Sequence, residues 1–293
     1  MHAIQQPDSG KECSLPIELT NVFLDDRGTP ATTNVDVKAF IVGGICFQGQ
    51  AQRIADAWVK RRKLAGITAS KGRRVRGDAL LEVAHFLVEH RLLPVATFSR
   101  VDEPSLAQAR ASLKLLNTAS TTADVAPAHW LWMAQVLAAA VVALGAVRHA
   151  VGRLTRLHLA MDKFMFDPEH REQFRRMLEQ GLTAGHLLQN TPRPDTAPVE
   201  DRPTILQMMD NMRVGPGDCE VDLNAKGPLA DLADVVVALY GRAFLQHDDG
   251  RAAWAVLLGA FRHDGEPILS LGFDVTEHVT LSIDGLVQDA RGV

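Results

Sequence analysis

Apolar and polar positions change their spacing several times along the chain, and each change marks an element. Asn21–Asp26 (NVFLDD) is a short apolar run closed by two acids. Lys38–Phe47 (KAFIVGGICF) is a second apolar, partly β-branched run, and Gly28-Thr29-Pro30 lies between them as a turn. The two runs predict a hairpin with a long connection. Gln50–Leu64 has Ile54, Trp58 and Leu64 at helical spacing. Asp78–His90 carries an apolar stripe of Leu80, Leu81, Val83, Ala84, Leu87 and Val88, so it predicts an amphipathic helix. Pro94–Phe98 predicts a strand and Pro104–Asn117 a helix, followed by the Thr/Ser/Ala/Pro connection Thr118–Pro127.

In the second half, Arg153–Asp162 alternates: Leu154, Arg156, His158 and Ala160 fall on one face, Thr155, Leu157, Leu159 and Met161 on the other. That is a strand period. Pro168 opens a helix through Gln189, and Asn190–Pro203 holds four prolines and reads as a loop or insertion. Cys219–Leu223 predicts a short strand and Pro228–Leu245 a helix, which His247–Gly250 breaks. A helix over Arg251–Arg262 and two alternating runs, Ile268–Val275 and His278–Ile283, predict a closing hairpin. Strands and helices interleave, so the class is α/β. The organisation expected is a flexible arm over 1–20 and one domain over 21–245, with 190–204 as the loop. A helix-plus-hairpin extension over 246–293 would pack on the same domain.

One segment raises the question of a membrane. Trp130–Val147 is 18 residues long with Gln135 as its one strong polar group, at the lower limit for a spanning helix. Its six alanines add little hydrophobic drive, and a helix buried on all sides has the same pattern. The core-helix reading is the one adopted, with no membrane partner expected. The N-terminus has no basic start and no apolar run, so it is not read as a signal peptide.

Composition narrows the function. The chain has 293 residues, 46% hydrophobic and 23% charged, which excludes collagen-like, disordered and disulfide-scaffold classes. Cys13, Cys46 and Cys219 lie far apart, so no cysteine zinc site or disulfide framework is indicated, and a reducing, cytoplasmic setting is expected. A net charge of −4 confines any polyanion site to a local patch. No GxxxxGK[ST], GxSxG or HExxH motif occurs, nor a GxGxxG with its ribose acid, so ATPase, serine-hydrolase, zincin and dinucleotide readings have no support.

Three segments place an aspartate at the end of, or within, an apolar element: Val22–Asp26, Leu157–Asp162 and Leu229–Asp234. Asp25 and Asp162 sit at strand ends, and Asp234 sits inside an apolar helix, where an acid is costly without a partner. Each alone reads equally as a surface acid. Converging, they would repel one another, and a divalent cation would remove that penalty. Oxygen ligands of this kind suit Mg²⁺ or Mn²⁺. Asp26 is an auxiliary acid of the same group.

These residues resemble the family known as domain of unknown function 3800. Its opening motif is a strand ending in Asp-Glu-Ser-Gly, matched by Asp25-Asp26-Arg27-Gly28. Its next strand reads like FVLGG, matched by Phe40–Gly44. A central strand ends in an aspartate, here Asp162, and a late Gln-Leu-Ala-Asp before an apolar helix is matched by Asp231–Asp234. The resemblance covers roughly residues 21–245. It implies an RNase H-like mixed sheet flanked by helices, and metal-dependent nuclease chemistry with Asp25, Asp162 and Asp234 as ligands. Arg27 replaces the family's serine and puts a cation beside that site.

Around this centre, Lys60, Arg61, Arg62, Lys63, Lys71, Arg73, Arg74 and Arg76 place eight basic residues within 17 positions, with no acid between them. The block reads as a phosphate-binding stretch for nucleic acid or as a solvated helix end and loop. His158 shares a strand face with Asp162 and could position water; it could equally be a core or edge histidine. Asp222 is a fourth acid or the start of a turn with Asn224 and Gly227. The expected function is a nuclease that hydrolyses phosphodiesters of nucleic acid with clustered aspartates. The alternative is a non-catalytic module of the same fold. It would dock a protein or nucleic-acid partner through the basic stretch or the C-terminal extension.

Overall fold

The computed structural model describes residues 18–28, 39–67, 71–100, 155–162, 214–215, 217–263, 266–267 and 273–274, with scattered positions between 132 and 144 and between 171 and 182. The Pro104–Asn117 helix, the 190–204 loop and His278–Ile283 lie outside the described residues.

The expected hairpin is present. β1 (Glu18–Arg27) pairs antiparallel with β2 (Ala39–Gln48), which pairs antiparallel with β3 (Leu93–Arg100). Glu18–Thr20, expected within the arm, already belong to β1. β4 (Thr155–Met161) pairs parallel with the other edge of β1, and β5 (Cys219–Asp222) pairs parallel with β4. The sheet is therefore mixed, in the order β5-β4-β1-β2-β3-β8, where β8 is the two-residue strand Phe273–Asp274.

The second run of the expected closing hairpin, His278–Ile283, lies outside the described residues. The antiparallel pair is β6 (Arg262–His263) with β7 (Glu266–Pro267), two residues each. Within Ile268–Val275 the described strand is β8 (Phe273–Asp274), and it lies parallel to β3.

Alternation along each strand makes two cores. Val22, Leu24, Phe40, Val42, Leu157, Leu159 and Met161 face one side, where they meet helical positions including Trp132, Val136, Phe174 and Leu178. The described positions of the Trp130–Val147 stretch are thus buried against the sheet. Its polar residue, Gln135, is fully buried, and its Nε2 donates to Thr97 Oγ1 on β3 at 3.1 Å. Among the described residues no helix is long and apolar enough to cross a membrane.

Phe23, Ile41, Ile45, Phe47 and Ala160 face the other side. There they pack beneath α1 (Ala51–Leu64), α2 (Asp78–Glu89), α3 (Pro228–Phe244) and α4 (Asp248–Ala260). α3 starts on Pro228, whose fixed φ suits the first turn, and lies directly on β1 and β2. With α1 and α4 against its other flanks it is buried nearly all round, which explains its unbroken apolar run. The stretch 247–250, expected as a break, instead begins α4: His247 is the N-cap, and Asp248 and Asp249 occupy the first turn. The turn itself falls at Gln246, at φ 62°. Tyr240 and Trp254 join the two helices, ring centroids 4.9 Å apart. α4, the described start of the extension, thus packs on α2 and α3.

Candidate active site

Parallel pairing of β1 with β4 sets Leu24 beside Met161, so the next residue of each, Asp25 and Asp162, emerges at the same end of two adjacent strands. Neighbouring strands are about 5 Å apart. Asp25 continues the face of Phe23 and Asp162 that of Ala160, the face that α3 covers. Asp234 is half-buried on α3, and the three expected acids come to one end of the sheet.

Their electrostatics show that they share one environment. Burial pushes the Asp25 carboxyl up to about 8, opposed by the Asp26 N–H, which donates to Asp25 Oδ1 at 2.8 Å. The charges of Asp234, Asp26 and Asp162 raise it further. Asp26 is pushed up to about 6, again by burial first, with Asp162 and Asp234 adding to the effect and a hydrogen bond with Asp25 resisting it.

The acids are assembled in charge but not as a closed ligand set. Among the described residues, no three His, Cys, Asp or Glu side chains stand together closely enough to hold a metal ion. One cause is local. Asp234 Oδ2 accepts the Gly72 N–H at 2.8 Å, which ties it to a single 3₁₀ turn, Gly72–Arg74. That turn lies so close to α3 that a Cβ on Gly72 would stand 2.3 Å from the Asp234 carbonyl oxygen.

Beside the acids opens a cleft of about 420 Å³, lined by Asp26, Arg27, Gly28, Lys71, Asp234 and the α3 residues Val237 and Ala238. Arg27 crosses α3 at Gly241: a Cβ there would meet its Cδ and Nε at 2.7 Å and its Cζ at 2.9 Å. Its Nη1 donates to the Ala238 carbonyl at a long 3.4 Å. Burial and the nearby Arg242 hold its pKa below the ordinary value, against the pull of Asp234.

The basic stretch divides. Arg61 pairs with Glu82 at 3.3 Å and with Glu89, and Arg62 pairs with Asp231 at 2.9 Å while donating to the Ile67 carbonyl. Both therefore brace α1 against α2 and α3. Lys60, Lys63, Lys71, Arg74 and Arg76 are exposed, and the Arg73 side chain lies outside the described ones.

The two remaining auxiliary candidates have partners of their own. His158 lies four residues back along β4, about 13 Å at the strand rise, too far to position water at Asp162. It sits edge-on to Phe23, with Nδ1 3.4 Å from Asn21 Oδ1. Asp222 Oδ1 accepts the Asn224 N–H at 2.8 Å and shapes the turn after β5. What sequence reasoning missed was the Arg27–Gly241 contact. A glycine inside an otherwise apolar helix is the signal, because it costs about 1 kcal/mol against alanine and usually has a packing reason.

No protein-family model matches the chain, and neither a curated protein nor a solved structure matches it significantly.

Proposed function

We propose that the protein is an RNase H-like, Mg²⁺- or Mn²⁺-dependent phosphodiesterase acting on nucleic acid. The carrying observation is the meeting of Asp25 and Asp162 at the ends of adjacent parallel strands, under Asp234. The strand order supports the fold reading: a β1-β2-β3 meander with two parallel strands, β4 and β5, added on the far edge of β1.

The donor chemistry fits a hard divalent ion, since carboxylates that repel one another lose that penalty beside it. Asp25 and Asp162 would hold the ion, with Asp234 joining once it leaves the Gly72 N–H. When bound, the ion supplies an activated water and charge neutralisation at the phosphate. Arg27 and Lys71 line the cleft beside Asp26, and exposed Lys60, Lys63, Arg74 and Arg76 extend the positive surface.

The test is cleavage of labelled DNA and RNA with Mn²⁺, wild type against Asp162→Asn. Cleavage by the wild type and its loss in a folded Asp162→Asn chain are expected. Equal activity in the two removes Asp162 from the site. A second reading, a non-catalytic docking module of the same fold, is favoured by Arg27 in the cleft and by the incomplete ligand set. It predicts no Mn²⁺-dependent cleavage and no Mn²⁺-dependent rise in melting temperature.

A further inference from the structure

The cation in the cleft has an arrangement of its own. Arg27 is half-buried, yet among the described residues no carboxylate lies within ion-pair distance of it, although Asp26 and Asp234 line the same cleft. By contrast Arg242, on α3, is paired with Asp249 at 2.7 Å. The stem of Arg27 is seated on Gly241, and among the described residues its one hydrogen bond is the long contact to the Ala238 carbonyl. A guanidinium has five donors in a fixed fork, so most of them are left for something that enters the cleft. Lys71 supplies a second positive charge on the cleft wall, and Val237 and Ala238 form an apolar floor.

We propose that Arg27, held in place by its seat on Gly241, binds a backbone phosphate of the nucleic-acid strand in this cleft, with Lys71 as the second cation. The proposal rests on the phosphodiesterase reading for the identity of the anion. A planar fork matches two phosphate oxygens, which an ammonium alone does not. The seat matters because an arginine already fixed in one rotamer loses little freedom when the phosphate arrives. Gly241 is thus the positioning residue and Arg27 the binding residue.

The test measures binding without cleavage: anisotropy of a fluorescent single-stranded oligonucleotide in EDTA, over a series of salt concentrations, with inorganic phosphate as competitor. Arg27→Met should bind about 10-fold more weakly, the value of one lost charge-assisted contact. Its log–log salt slope should fall by about 0.7. Arg27→Lys should fall between Met and wild type, since it keeps the charge and loses the fork. Gly241→Ala keeps every charge and meets only the far end of a flexible side chain, so it should melt no lower than wild type. It should nevertheless bind more weakly, because the guanidinium has lost its seat. An Arg27→Met chain with unchanged affinity and slope, or a wild type that does not bind in EDTA, overturns the proposal. A Gly241→Ala chain that binds like wild type overturns the positioning role. Competition by inorganic phosphate with no oligonucleotide binding assigns the cleft to a free phosphate and also overturns it. Mn²⁺-dependent cleavage is a separate readout: a chain that binds through Arg27 and never cuts leaves this inference standing and sinks the phosphodiesterase reading.

Discussion

Asp25→Asn isolates the cost of gathering the acids. The variant keeps an oxygen for the Asp26 N–H and removes the charge. In the folded chain Asp25 titrates at about 8, against an ordinary 3.8, because it is buried and because Asp234, Asp26 and Asp162 are negative. The folded state therefore binds this proton more tightly than the unfolded state. Stability is fully present below about pH 4, falls as pH rises toward 8, and is then constant. A gap of about four pH units corresponds to roughly 5 kcal/mol at 1.36 kcal/mol each. Asp25 is not fully buried and its surroundings relax around the charge, so roughly 2–3 kcal/mol is the realistic loss. The wild type should thus be less stable than Asp25→Asn at pH 9 by that amount, and the two should converge near pH 4. Urea melts in EDTA from pH 4 to 9 measure this directly. A smaller slope remains in the variant between about pH 4 and 6, where Asp26 titrates. Mn²⁺ at pH 8 should restore the wild type and leave the variant unmoved. Parallel pH profiles for the two chains would refute the reasoning.

Two further predictions concern the frame around the site. Gly44→Ala would set a Cβ 1.9 Å from the Phe23 carbonyl oxygen, backbone against backbone, so β1 and β2 must part; a loss of about 3 kcal/mol or more is expected in urea melts. Asp249→Ala should cost roughly 3 kcal/mol, because Asp249 accepts from Arg242 and from the Gly77 and Gly250 N–H groups, and its pair is less than a fifth exposed. These partners hold the Asp249 pKa below its ordinary value despite burial, so wild-type stability from this group is present above about pH 4 and lost on acidification. An Asp249→Ala chain with the wild-type acid limb would contradict this.

The strands and helices that carry the acids were legible because each acid closes or interrupts an apolar run, and both periods survive folding unchanged. β4 shows this well: its alternation over Leu157–Met161 sends Leu157, Leu159 and Met161 to one core and Ala160 to the other. What was not legible came from partners distant in sequence. Arg61 and Arg62 look like members of one basic block, but Glu82, Glu89 and Asp231 take them out of it. His158 obeys the right spacing but lies too far down the strand to reach Asp162, and Asp222 caps a local turn through the Asn224 N–H. His247–Gly250 carries turn residues, yet two acids followed by an apolar stretch also suit the positive end of a helix, and that tendency prevailed. Two-residue strands such as β8 have no period to read.

The parallel pairing of β1 with β4 has a consequence for how the chain is made. Asn21 and His158 lie side by side but 137 residues apart in sequence. The β1-β2-β3 meander is complete as soon as residue 100 has left the ribosome, while the other edge of β1 still waits for its neighbour. An unpaired central strand is a template for the wrong partner, so this interval is the chain's exposure to aggregation. Asp25 stands at the end of that waiting edge, and Asp162 and Asp234 reach it only when β4 and α3 dock. The repulsive centre can therefore close only after β4 and α3 have been made, long after the meander that carries Asp25.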